Sequence, residues 1–555
     1  MTAGPAGRTV AEAVGAAVAQ LGADHVFTLL GSGNFAVTSA LRDAGAVVVS
    51  ARHETAAVTA ADAYARVSGA VGVVTLHQGP GLTNAVTAVA EAAKSRTPLL
   101  VLAADTAAAA VRSNFRIDAA ALVTAVGAAV ERLDDPATAV ADAVRAHRRA
   151  RNERRPVVLL LPLDVQAARH PGGEQVPEDV LPGAVAPADG DLRALADALE
   201  RAERPVLLAG RGAALAGAGP VLRQLGDATG ALLATSAVAA GLFAGDPWDL
   251  GISGGFSSPV AAELLVEADL VVAMGASLTM WTTRHGRLLG DGATVAQVDH
   301  DPDALGAHVD VALPVLGDVA ETARGVLAEL ARRGAQPSGW RSASTAARVA
   351  AGGWRDTPYD DAGTGDRIDP RTLSLALERL LPPERTLVVD SGHFMGWPPM
   401  YLRVPQDSGF VFTQGFQSVG LGLATGLGAA LARPDRPTVA AVGDGGLLMS
   451  LGELETLARV GARLLVVVYD DAAYGAEVHH FGPAGHPVDL VQFPSADLAA
   501  VARGAGVHAV TVRTAEDLAP VAQWVEAGAP GPLLVHALVV PDVVAEWLEE
   551  AFRGH

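Results

Sequence analysis

Thr438-Val439-Ala440-Ala441-Val442-Gly443-Asp444-Gly445-Gly446 decides the fold of this chain. Five uncharged residues, small or β-branched, read as a buried strand. The glycines then break the extended run, and apolar spacing through Leu454 and Leu457 reads as one continuing helix. A second strand over 463–469 ends in Asp470-Asp471-Ala472-Ala473-Tyr474-Gly475. Two acidic positions therefore fall at the C-terminal ends of two strands, the edge where open parallel sheets hold their ligands. Gly443, Gly445 and Gly446 let backbone N–H groups approach an anion, and the helix start adds a favourable dipole. Asp444 and Asp471 offer hard oxygen ligands, with a loop carbonyl such as that of Ala473 as a third. That set suits magnesium or calcium shared with phosphate oxygens. An ordinary strand–turn–helix punctuated by Gly-Asp is the alternative reading.

Outward from this stretch the same rhythm repeats. Short apolar runs at 26–30, 46–50, 71–76, 98–103, 157–161, 206–209, 270–274, 294–298, 386–389 and 533–537 alternate with helix-like segments. Continuous apolar strands separated by helices predict an α/β chain of doubly wound parallel sheets. Two stretches, 167–190 and 333–366, lack strand-like runs and read as surface linkers. They predict three domains over 1–170, 188–335 and 366–555, the first and third of related fold.

Composition narrows the function. A length of 555 residues implies two to four domains, and 50% apolar with 18% charged residues is the balance of compact domains. A formal charge of -20 disfavours nucleic acid and anionic membrane surfaces as partners. The arginines at 148, 149, 151, 154 and 155 read as a solvated helix end. With no cysteine, disulfides, thiolate metal sites and thiol nucleophiles are excluded. The N-terminus lacks a leader pattern and no apolar run has bilayer length, so a cytoplasmic location is expected.

Gly443-Asp444-Gly445, with a second ligand position 27 residues after Asp444 at Asp471, resembles the cofactor motif of the acetolactate synthase, pyruvate decarboxylase and benzoylformate decarboxylase superfamily. These are thiamine diphosphate-dependent enzymes, and they usually carry Asn-Asn where this chain has Asp470-Asp471. Arg52-His53-Glu54, then Asp62-Ala63-Tyr64-Ala65-Arg66, resembles a second family segment. There the glutamate bonds the aminopyrimidine ring and drives the tautomer that deprotonates the thiazolium carbon. His77-Gln78-Gly79-Pro80-Gly81-Leu82-Thr83-Asn84 extends the match, as do Thr97-Pro98-Leu99-Leu100 and Asp299-His300-Asp301-Pro302. The resemblance implies thiamine diphosphate and Mg2+ as cofactors, pyrimidine-binding, central and diphosphate-binding domains in that order, and a homodimer or dimer of dimers with the site at the interface.

The resemblance also assigns pocket positions. His77 stands 23 residues after Glu54, where benzoylformate decarboxylase-like enzymes carry a histidine near the reacting carbon. Glu477 falls six residues after Asp471, at the offset of a catalytic glutamate in pyruvate decarboxylases. His480 is expected on the same helix face as Glu477, with His479 pointing elsewhere. Val419 matches the apolar residue that bends the cofactor, and Gln417 supplies a backbone carbonyl to its amino group. His393 lies in a diphosphate-contacting turn, with Tyr474 and Gly475 beside the second metal position. In the loop Gly31-Ser32-Gly33-Asn34, Ser32 and Asn34 are expected to face substrate, joined by Gln78 and Phe115. Each position has a plain structural alternative, such as a helix-capping or turn histidine.

The leading expectation is a decarboxylase or carboligase acting on a 2-oxo acid. Glu54 activates the cofactor, and His77 with Glu477 relays protons. The alternatives are a flavin-dependent oxidase of the pyruvate oxidase type, an aldehyde-ligating lyase and a non-catalytic cofactor-binding paralogue. Gly210-Arg211-Gly212 leaves FAD or a nicotinamide dinucleotide open in the central domain. The Arg-Phe-Asp-Asp-Arg segment of flavin-binding acetolactate synthases is Ser277-Leu278-Thr279-Met280-Trp281 here, which argues against FAD.

Overall fold

The computed structural model describes residues 7–172, 175–177, 183–405 and 409–553. Within them the chain forms three six-stranded sheets whose strand pairs are all parallel. The first sheet holds β1 His25–Thr28, β2 Val47–Ser50, β3 Gly72–Leu76, β4 Leu99–Asp105, β5 Ala129–Arg132 and β6 Pro156–Pro162. The second holds β7 Pro205–Ala209, β8 Leu232–Thr235, β9 Asp249–Ile252, β10 Leu270–Met274, β11 Thr294–Asp299 and β12 Leu313–Leu316. The third holds β13 Thr386–Val389, β14 Phe410–Phe412, β15 Thr438–Gly443, β16 Leu464–Asp470, β17 His508–Val512 and β18 Leu533–Leu538.

Strand order in the first sheet is β2-β1-β3-β4-β6-β5 and in the third β14-β13-β15-β16-β18-β17, the same permutation. The second runs β12-β11-β10-β7-β8-β9, the order of a dinucleotide-binding sheet. Strands at the centre are the legible ones: Leu99 to Ala103 are fully buried, and so are Leu464 to Val466. The strands absent from the sequence reading are short or lie at edges. β5 carries Glu131 and Arg132, β12 contains Pro314 and β9 contains Gly251, so none shows a continuous apolar run.

Two expectations need correction. The helix after Asp444 is not continuous: Asp444–Met449 ends at a turn, and a second helix runs Glu453–Val460. Ser450 Oγ bonds back to the carbonyl of Gly446 at 3.2 Å, a contact that competes with the helix ladder. The stretch 333–366 is not a bare surface linker. It forms the helix Ala343–Ala351 and anchors through Trp340 and Trp354, both buried, with Trp354 Nε1 donating to the Phe256 carbonyl at 2.9 Å.

The first and third domains are joined backbone to backbone. Helix Glu54–Ser68 packs on helix Gly422–Ala432 so closely that a Cβ on Gly428 would stand 2.0 Å from the Ala60 carbonyl oxygen. Beside this contact Arg66 is buried between Asp62 at 2.6 Å and Glu91 at 3.0 Å, and it also donates to the Phe412 carbonyl. Glu91 accepts from Ser95 Oγ and from the N–H groups of Gly415 and Phe416, so it carries the domain junction into the loop 413–421.

The two acids share one guanidinium unequally. Burial pushes Asp62 upward against the pull of Arg66. Burial also works on Glu91, but Arg66 and the Phe416 N–H outweigh it and hold that carboxyl below its ordinary value. A depressed acid stabilises the fold above its unfolded pKa, and the contribution is lost as pH falls through the carboxylate range. Glu91→Ala is therefore expected to lower the first thermal unfolding transition at pH 7, with a loss of roughly 3–5 kcal/mol. The difference from wild type should shrink toward pH 3. An unchanged midpoint at pH 7 would show that Glu91 does not hold the junction.

Candidate active site

β15 and β16 pair in register up to Gly443 and Tyr469, so their ends bring Asp444 to the loop that follows Asp470. Burial pushes the Asp444 carboxyl up to about 7, helped by the charges of Asp470 and Asp471. Asp471 is also pushed up to about 7, by burial and by Asp470, against the Ala473 N–H that donates to it at 3.2 Å. Asp470 points the other way: it accepts from His536 Nε2 at 2.6 Å, from Ser495 Oγ and from the Ala472 N–H. Of the two neighbouring aspartates, Asp470 is bonded to the side chains of His536 and Ser495, whereas Asp471 accepts only the Ala473 N–H among the described residues.

Glycine is required here for space. A Cβ on Gly445 would meet the Tyr474 ring at 2.8 Å, and one on Gly475 would lie 2.3 Å from Asp471 Oδ2. Gly443 N-caps helix Asp444–Met449 in extended backbone, and Gly446 sits beside Asp390 and Val419. Asp390, unnoticed in the sequence, organises the facing loop. It is fully buried and accepts from the N–H groups of Ser391, Gly420 and Leu421, while burial pushes it up to about 6. That loop carries Val419, whose Cγ1 lies 3.5 Å from where a Gly446 Cβ would be, and Gln417, exposed at φ 62°.

His393 is buried where this loop region meets the C-terminal segment. Its Nε2 accepts the Ala545 N–H at 3.1 Å, which leaves the hydrogen of the neutral ring on Nδ1, 3.9 Å from Asp471 Oδ2. Burial, and then His479, lowers its pKa to about 3, so the ring is neutral at physiological pH. The helix Gly475–Phe481 reverses one expectation. His479 turns inward, 4.5 Å from the His393 ring and bonded to the Pro541 carbonyl, whereas His480 stacks on Phe552 at 3.9 Å. Gly475 rests on His393, and the i+4 position on that edge of the helix is residue 479. Glu477 is half-buried in the first turn, and Tyr474 is exposed just before it.

The first domain presents a second cluster. Glu54 opens its helix at 7% exposure and accepts from Asn84 Nδ2 at 3.1 Å. The helix start is held from the third domain of the same chain: Glu453 Oε1 accepts the N–H groups of Arg52 and His53 at 2.9 and 3.0 Å. His77, half-buried, receives the Gly33 N–H on Nδ1 at 3.1 Å and meets the Phe115 ring edge-on at 5.2 Å. Ser32 is exposed beside it. Gln78 is buried with its Oε1 unpartnered among the described residues. Asn34 does not face substrate. It is wholly buried, accepting from the Gly31 N–H and reaching Thr28, Leu29 and Thr75, because the turn itself needs those bonds.

In the central domain the glycine turn has a packing explanation. A Cβ on Gly210 would stand 2.2 Å from the Gly275 carbonyl oxygen, and the half-buried Arg211 donates to the Ser95 carbonyl of the first domain. The close approach of the turn after β7 to the turn after β10 accounts for these glycines without a phosphate.

Family models of thiamine pyrophosphate enzymes match all three domains: the N-terminal binding domain over residues 8–123, the central domain over 192–326 and the C-terminal binding domain over 390–537. The chain belongs to the thiamine pyrophosphate enzymes. Relatives within this enzyme family include a putative acetolactate synthase large subunit of Mycobacterium tuberculosis, 29% identical over 90% of this chain and 92% of its own. A sulfoacetaldehyde acetyltransferase of Rhodobacter capsulatus is 30% identical over 90% and 88%. A probable 2-ketoarginine decarboxylase of Pseudomonas aeruginosa is 31% identical over 84% and 83%. Among the described residues of this thiamine pyrophosphate enzyme, no helix is long and apolar enough to cross a membrane.

The residues fit the cofactor. Two carboxyls whose ionisation is resisted by burial and by the charge of Asp470 suit a cation, and the close glycine backbone leaves room for phosphate oxygens. Among the described residues no three His, Asp or Glu side chains form a metal cluster of their own, so a cation at Asp444 and Asp471 would need further oxygens from a ligand or the backbone. Asp444→Asn is expected to abolish the rise in melting temperature that Mg2+ and thiamine diphosphate together produce, while the midpoint without ligands stays level or rises. A retained ligand-induced rise would remove Asp444 from the metal site.

Proposed function

We propose that this enzyme binds thiamine diphosphate through Mg2+ and breaks or makes the carbon–carbon bond beside the carbonyl of a small 2-oxo acid. The observation that carries the reading is the presence in one chain of Glu54, shielded at a helix start, and of the two raised carboxyls of Asp444 and Asp471 at strand ends. When bound, the cofactor supplies a carbon nucleophile and electron sink that amino-acid side chains lack. Asp444 and Asp471 hold the metal, with the Ala473 carbonyl as a candidate third ligand. His393 Nδ1–H faces the same site and is suited to a phosphate oxygen. Glu54 shares a proton with the aminopyrimidine, a task that its low exposure favours. Val419 shapes the cofactor's bend, while His77, Phe115 and Glu477 border the reacting end.

The working unit of this reading is a dimer. Within one chain the start of the Glu54 helix is bound to Glu453, and exposed apolar residues flank both clusters. Leu30, Phe35 and Phe115 lie on the first domain, and Met449, Tyr474 and Phe493 on the third. A second copy that covers both faces would bring Glu54 of one chain to Asp444 of the other. Assembly is read by sedimentation, where a monomer that retains full activity would reject the shared site.

The first assay is CO2 release from pyruvate, with and without thiamine diphosphate and Mg2+, with the organic product identified. Acetolactate indicates a carboligase and acetaldehyde a decarboxylase. Glu54→Gln is expected to bind cofactor yet lose on the order of 100-fold or more in kcat. No cofactor-dependent CO2 from pyruvate or from a panel of other 2-oxo acids would reject the decarboxylating reading in favour of aldehyde ligation.

A further inference from the structure

The bonding around His77 specifies more than its position. A Cβ on Gly31 would stand 2.8 Å from His77 Cγ and one on Gly33 2.9 Å from Nδ1, so only glycine lets the turn lie against the ring. The Gly33 N–H donates to Nδ1 at 3.1 Å, and Phe115 closes the other side. The turn is itself held from below. Asn34 Oδ1 accepts the Gly31 N–H at 2.9 Å, and its Nδ2 lies 3.1–3.2 Å from Thr28 Oγ1, the Leu29 carbonyl and Thr75 Oγ1. Thr38 Oγ1 ties the Asn34 carbonyl into the same buried cluster.

A ring nitrogen that accepts an N–H must present its lone pair, so the hydrogen of neutral His77 resides on Nε2. We propose that Gly33, positioned by Asn34, fixes His77 as the neutral Nε2–H tautomer, so that it serves the substrate carbonyl as a hydrogen-bond donor that keeps its proton. This rests on the preceding reading that a carbonyl substrate lies beside His77, and it changes the role first expected of that residue from proton relay to electrophile. As negative charge develops on the carbonyl oxygen, the hydrogen bond from Nε2–H to it shortens and no proton leaves the ring. The proton required after CO2 departs comes from water. Asn34 is a positioning residue, acting through the turn.

The test is 15N NMR of the full-length protein labelled at histidine, with Mg2+ and thiamine diphosphate present, His77 being assigned by the signal lost in His77→Gln. At pH 7 one pyridine-type nitrogen, Nδ1, and one pyrrole-type nitrogen, Nε2, are expected. Asn34→Ser should move both signals toward averaged values, a change that loss of stability alone does not produce. Two pyrrole-type nitrogens, or a hydrogen on Nδ1, would overturn the proposal. Turnover gives a second reading: His77→Gln, which keeps an uncharged N–H donor, should retain at least tenfold more kcat than His77→Ala. Equal collapse of both variants by about 10²–10⁴-fold would restore the proton-relay role. The NMR result needs no turnover, so a protein inactive on every 2-oxo acid would reject the proposed function and leave the tautomer assignment decided on its own.

Discussion

Within each chain the placement of the Glu54 cluster relative to the Asp444 loops depends on the contact between helix Glu54–Ser68 and helix Gly422–Ala432, where the Gly428 backbone lies against the Ala60 carbonyl. Bare backbone contact of this kind leaves no slack for a side chain. It fixes the distance between the first and third sheets to within a fraction of an ångström. The buried Arg66 network then fastens the loop that carries Gln417 and Val419 to the first domain, and Glu453 fastens the Glu54 helix to the third. The relative placement of the two residue clusters within a chain is thus inherited from packing, and the polar groups refine it.

Charge is distributed with the same economy. The third domain gathers Asp390, Asp444, Asp470 and Asp471 within one region, and each is treated differently. Asp390 spends its acceptors on the N–H groups of a loop, and Asp470 on His536. Asp444 and Asp471 have fewer donors, and burial with neighbouring charge pushes both up to about 7. The acids that build the framework are bonded to it, and the other two are the ones suited to a cation. The histidines are held alike: both His393 and His77 accept a backbone N–H on one ring nitrogen, which leaves the hydrogen of a neutral ring on the other.

Much of this was legible in the sequence, and the failures have physical causes. Central strands such as β4 and β16 announce themselves because both faces are buried. β5, β9 and β12 carry charge, glycine or proline and leave no such run. The Asp444 and Glu54 motifs could be read because their chemistry depends on neighbours in sequence. Glu91, Asp390 and Glu453 could not, since their partners lie far along the chain: Glu91 reaches Phe416, and Glu453 reaches Arg52. Asn34 was misread as facing substrate because a polar residue in a glycine turn looks available until its buried partners are seen. His479 and His480 were exchanged because helix periodicity gives relative faces, and the packing of Gly475 on His393 sets the absolute one.

The identical strand permutation in the first and third sheets places the two packed helices at equivalent points, each after the second strand of its own sheet. A contact between equivalent elements is what two copies of one domain make across a two-fold axis. The two scaffolds therefore meet through equivalent helices, one carrying Glu54 at its helix start and the other carrying Asp444 and Asp471 at its strand ends. One strand order thus serves two different sets of chemistry, because the residues at strand ends are free of the packing that fixes the sheet. The helices that meet are held to small residues by their contact, and the loops beyond the strand ends are not.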